Sequence, residues 1–153
     1  MKTTRLLPIL FLLVSVSTTY GQHHDSKSKL TKSPPPLSFE SVLSKWLSDP
    51  ELKEYKMESN VMTIQPGAID TVSHRHDCEL FGYVLDGEVQ IGLENKPFTI
   101  YKAGEMFYER RNILHNLAGN NLKDRKSKVL LITIIKKGRE GYKPEYIPAT
   151  SKN

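Results

Sequence analysis

The stretch Phe81-Gly82-Tyr83-Val84-Leu85-Asp86-Gly87-Glu88-Val89-Gln90-Ile91-Gly92-Leu93 decides the class of fold. Two short runs rich in β-branched and aromatic residues flank Asp86-Gly87, a pair suited to a two-residue hairpin turn because glycine takes positive φ without strain. Runs of the same kind recur on both sides: Val61 to Gln65, Ile69 to His76, Phe98 to Tyr101, Met106 to Glu109, Ile113 to Leu117 and Val129 to Lys136. Asn95-Lys96-Pro97 and Lys102-Ala103-Gly104 mark further turns. Short strands at regular spacing, joined mostly by tight turns, predict an all-β chain closed into an antiparallel barrel or jelly roll, and such a barrel encloses one pocket.

Upstream the pattern changes. Ser38 suits the cap of a short N-terminal helix, in which Phe39, Val42, Leu43, Trp46 and Leu47 recur at helical spacing until Asp49-Pro50 interrupts it. Trp46 is expected to anchor that helix against the barrel or a second subunit. Residues 22–37, rich in His, Ser, Lys and Pro and ending Ser33-Pro34-Pro35-Pro36, read as a flexible arm with a stiff end. Residues 1–21 have the outline of a secretory signal peptide, with Lys2 and Arg5 ahead of the apolar run Leu6 to Val16, and Thr19 and Gly21 as small residues for cleavage. The run is well short of the roughly 20 residues that cross a bilayer as a helix; an uncleaved anchor is the alternative. The expected organisation is a signal peptide at 1–21, an arm at 22–37, a helical segment at 38–58, a barrel at 59–137 and a C-terminal extension at 138–153. The protein is therefore expected to be secreted or periplasmic, with no stable membrane insertion after cleavage.

Removing residues 1–21 lowers Lys plus Arg from 22 to 20 against 17 acidic residues, a weak positive balance that gives no nucleic-acid footprint. Cys78 is the only cysteine, so no disulfide forms within one chain. Stability must come from the core, a metal or a partner subunit.

The histidines carry the chemistry. His74 and His76 are two apart in a strand and share a face, with Arg75 turned away. Paired imidazoles are half of a site for Fe, Mn, Zn, Ni or Cu, although a pair alone is common on solvated strands. His115 stands in a separate run, with Ile113 and Leu117 on its face, which places it inward. Taken alone, a buried histidine beside apolar residues reads first as a hydrogen-bonded core residue, and only with the spacing described next as a metal ligand.

The spacing Gly67-(six residues)-His74-Arg75-His76-(ten residues)-Gly87, followed by Gly104-(ten residues)-His115-(four residues)-Asn120, resembles the two motifs of the cupins. The segments Phe81 to Val89 and Tyr101 to Glu109 resemble small one-domain cupins in particular, and the resemblance spans about Val61 to Ile135. It implies a jelly-roll (double-stranded β-helix) barrel with one divalent metal ion inside on His74, His76 and His115, commonly assembled as a homodimer. The family usually places a glutamate ligand four residues after its second histidine, where this chain has Leu80; the nearby carboxylate is Glu79, which reaches inward only if the Asp77-Cys78 connection is rearranged. Arg110-Arg111-Asn112 stands where the family commonly has Pro-x-Gly, which suggests a cationic entrance and an anionic substrate.

Held by three histidines, an ion keeps open positions, as catalytic sites do. The expectation is a metal-dependent enzyme of oxygenase, isomerase or lyase type acting on a small oxygen-bearing molecule; the alternative is a non-catalytic cupin that binds a sugar or organic acid. Tyr83, Gln90, Tyr101 and Tyr108 are the candidate pocket residues. Cys78 reads as a ligand or reactive thiol on one hand and a buried cysteine on the other. Cleavage after Gly21 would leave Gln22-His23-His24, a terminus able to wrap Cu(II) or Ni(II).

Overall fold

The structure is a computed structural model that describes residues 33–145. The segment expected to be a signal peptide, most of the expected arm with Gln22-His23-His24, and the end of the expected C-terminal extension lie outside the described residues.

The strands are β1 (Leu37–Trp46), β2 (Tyr55–Ile64), β3 (Ile69–Asp70), β4 (His74–Arg75), β5 (Glu79–Asp86), β6 (Glu88–Leu93), β7 (Thr99–Lys102), β8 (Met106–Glu109), β9 (Leu114–Gly119), β10 (Ser127–Lys136) and β11 (Lys143–Pro144). All pairings are antiparallel. One sheet has the order β1-β2-β10-β5-β8 and the other β11-β4-β9-β6-β7, with β3 also on β9. Their facing sides supply the core, in which Ile64, Val84, Val89 and Val129 are completely buried. This is the all-β jelly roll expected from the alternating runs.

The short N-terminal helix is not formed: Leu37–Trp46 is β1, paired along its length with β2. A bulge explains the misleading spacing. The register shifts between Ser41 and Leu43, so Phe39 stands opposite Met62 while Trp46, seven residues on, stands opposite Lys56. Met62 and Lys56 are an even number apart in β2 and share a face, so Phe39 and Trp46 share one too, as they would on a helix. Trp46 is about half exposed, with the Lys56 ammonium 5.8 Å from its ring centre.

The Asp86-Gly87 turn is also not a hairpin. β5 and β6 belong to different sheets, so Gly87 forms a corner where the chain crosses between layers. Its φ is +74°, and a Cβ there would lie 2.5 Å from Ser127 Oγ, the atom that accepts a hydrogen bond from Glu88 N–H. The run Ile69 to His76 breaks into two short pieces, β3 and β4, both paired with β9. That shared partner brings the first two histidines to the third.

Candidate metal centre

His74 in β4 stands directly opposite His115 in β9, and His76 follows two residues later. One potential ligand atom from each of the three lies within 4.8 Å of the others. They are close enough to hold one metal ion. The His74 ring stacks on His115 at 4.7 Å between centres, and His76 meets His74 edge-on at 4.8 Å.

Each Nδ1 has an acceptor. His74 Nδ1 donates to Val72 O at 2.7 Å, His76 Nδ1 to Gly141 O at 2.8 Å, and His115 Nδ1 to Glu109 Oε1 at 2.9 Å. A backbone carbonyl, like an ionised carboxylate, only accepts, so the protons sit on Nδ1 and leave Nε2 as the coordinating atoms. His115 Nε2 is buried without a hydrogen-bond partner. Burial, the largest cause, lowers the pKa of His74; its bond to Val72 opposes the shift, and His115 and His76 add to it. The centre thus favours the neutral form of His74 that a metal needs. An orphaned buried nitrogen beside two oriented imidazoles fits a divalent ion.

The histidines open into a cavity of about 370 Å³, within the range of small-molecule sites. Its apolar wall includes Phe39, Met62, Leu80 and Phe107, and Asn60, Thr133 and Tyr142 add polar groups. Tyr142 packs on the His74 ring at 4.6 Å.

Glu109, which is not among the residues expected at the site, also lines this cavity. It is 1% exposed, one oxygen bonds His115, and the other, 3.8 Å from His76 Nε2, has no hydrogen-bond partner. In β8, Phe107 is buried between exposed Met106 and Tyr108, so alternation turns Glu109 inward, but Met-Phe-Tyr-Glu has no polar-apolar alternation by which the sequence alone would tell the inward face.

Glu79 is not brought to the histidines. It precedes Leu80, which is buried in the cavity wall, so it points to the other face, where its carboxylate accepts from the Tyr108 hydroxyl and from Arg111 N–H at 3.4 Å. Tyr83, Gln90, Tyr101 and Tyr108 do not line the cavity either. Tyr83 and Tyr108 face outward, Gln90 is buried in β6, and Tyr101 packs against Phe107. The pocket is lined instead from β1, β2 and β10 as well as the histidine strands.

Arg110 and Arg111 are each paired, with Glu94 at 2.7 Å and with Asp77, and neither lines the cavity. Asn112, at the family's glycine position, takes the left-handed φ of +59° that asparagine tolerates. Cys78 is 1% exposed, and burial together with the neighbouring Asp77 and Glu79 carboxylates raises its pKa to about 11. It is a protonated, buried thiol.

Residues 60–133 match the cupin-domain family model. This stretch is a cupin domain. Among solved structures, the cupin domain of Schizosaccharomyces pombe Cnp3 is similar, with 16% identity, 68% of this chain and 67% of that chain covered, and a TM-score of 0.52. KdgF from Halomonas sp. shares 15% identity over 68% of this chain and 84% of its own, with a TM-score of 0.50. The cupin domain of an XRE-family transcriptional regulator from Enterobacter cloacae shares 12% over 65% and 96%, with a TM-score of 0.50. At such identities the likeness concerns the fold. Among curated proteins nothing matches this sequence.

Proposed function

We propose that the cupin domain holds one divalent metal ion on His74, His76 and His115 and acts on a small oxygen-bearing molecule in the adjoining cavity. The carrying observation is the convergence of three imidazoles, each with its Nδ1 already bonded, on a partly open cavity of about 370 Å³. The Nε2 atoms would hold the ion, and when bound it would supply Lewis-acid polarisation of a substrate oxygen or an activated water. The protein's own contribution is to orient those nitrogens, to exclude water on one side with buried Met62, Leu80 and Phe107, and to offer Asn60 and Thr133 as hydrogen-bonding groups. The reaction class falls among oxygenase, isomerase and lyase chemistry; Fe, Mn, Zn, Ni and Cu all suit imidazole donors.

A second reading, a cupin that captures a sugar or organic acid without turnover, is favoured by one observation: Leu80 stands where the resemblance calls for a carboxylate ligand. Ligand screening by thermal shift with turnover monitored separates the two. Stabilisation by a molecule recovered unchanged supports binding alone.

The amino-terminal signal-like segment supports a secreted or periplasmic location. Among the described residues no helix is long and apolar enough to cross a membrane. A homodimer is supported by β1, an edge strand that exposes Phe39, Val42 and Leu43. Light scattering checks it. The metal reading is tested by elemental analysis of mature protein kept from chelators, with about one ion per chain expected; substoichiometric metal that cannot be reconstituted overturns it.

A further inference from the structure

We propose that Glu109 is the carboxylate of this centre, a positioning residue that acts through His115 from across the barrel in place of a ligand at the position Leu80 occupies. The inference rests on the metal-binding reading above.

Three histidine nitrogens carry no charge to offset a divalent ion. A direct glutamate ligand would supply one, but Leu80 is apolar and buried. Its cross-strand partner is Glu109. Residues directly opposite on an antiparallel pair share a face, so Glu109 projects into the same cavity from the neighbouring strand. The negative charge is thus moved one strand sideways.

From there it reaches the first ligand shell only through a ring. Glu109 Oε1 takes the Nδ1 proton of His115, which leaves His115 Nε2, buried and unpartnered, to face an ion. His74 and His76 rest on neutral backbone carbonyls, so His115 is the ligand of the three with a charged acceptor behind it. A carboxylate behind an imidazole fixes its tautomer and strengthens it as a donor. The second oxygen of Glu109 lies 3.8 Å from His76 Nε2 with no hydrogen-bond partner, so the same charge stands beside a second ligand. A carboxylate buried this deeply without full hydrogen bonding destabilises the metal-free fold, and the cost is offset when a cation binds nearby.

That opposition gives a test with two readouts, Zn(II) affinity by chelator competition and the melting temperature of the metal-free protein. Glu109→Gln keeps the shape and an acceptor for His115 but removes the charge. Its affinity is expected to fall about 10- to 100-fold, while the metal-free melting temperature stays level or rises. The double change Leu80→Glu with Glu109→Leu returns the carboxylate from the facing strand and is expected to recover affinity; if it does not fold, Glu109→Gln alone decides. Wild-type affinity in Glu109→Gln, or a loss of affinity matched by a lower metal-free melting temperature, overturns the role of Glu109. A wild-type chain that binds no zinc, cobalt(II), manganese(II) or iron(II) overturns the metal reading itself and the inference with it.

Discussion

Leu80 and Glu109 face each other across β5 and β8, both buried and both in the wall of the cavity that holds the histidines. An apolar and an ionisable residue thus share one patch of interior, and each has a different burden. Leu80 contributes packing against the core. Leu80→Ala is expected to destabilise the fold by about 2–3 kcal/mol, the low end for such truncations because the new space merges with an existing cavity. Urea unfolding measures this, and an unchanged midpoint would remove Leu80 from the core.

Acid should weaken the fold through His74. Its folded pKa lies below the ordinary 6.5, mainly because of burial, so the unfolded chain takes up this proton first as pH falls. Stability contributed by the neutral ring is therefore present above about 6.5 and lost as pH drops from there toward the folded value. Thermal melts of metal-free protein across this range should show falling melting temperature, and His74→Gln should flatten the slope. An identical slope in the variant would assign the pH dependence elsewhere.

Cys78 should be nearly inert. With a pKa of about 11 in place of 9.0, its thiolate fraction at pH 8 is about 100-fold below that of an ordinary thiol, and its burial slows attack further. Alkylation followed by mass spectrometry should show labelling of the native protein at least that much slower than of denatured protein. Equal rates would contradict the buried, protonated thiol.

Gly82 is a packing position. A Cβ there would lie 2.0 Å from the Phe107 ring, which forms part of the cavity wall. Gly82→Ala must displace that ring, and a loss of about 1–3 kcal/mol is expected in chemical denaturation. Full stability would mean that Phe107 has room to move.

How far these features could be read from the residues depends on how local their causes are. The strands β6 and β8 begin and end where their runs do, because alternation and turn residues are local properties. The bulge in β1 is not local: it is set by pairing with β2, and it turned an edge strand into a helical-looking spacing. Asp86-Gly87 suited a hairpin in isolation, but a glycine with positive φ serves a corner between sheets equally well, and only the pairing partners of β5 and β6 decide which it is. At the centre, the histidine spacing was legible because two residues in one strand and one in its neighbour need only strand geometry to meet. Glu109 required knowing which strand faces which. The carboxylate that β5 itself carries is Glu79, one residue out of phase, while the buried one stands across the ladder.

X-ray absorption on the zinc-loaded protein measures the ligand set directly. The three oriented Nε2 atoms predict imidazole scattering from three ligands with Zn–N distances of about 2.0–2.1 Å, lost in part when His115 is replaced by alanine. A first shell of oxygen atoms with one imidazole or none, unchanged by that replacement, would contradict a metal centre on His74, His76 and His115.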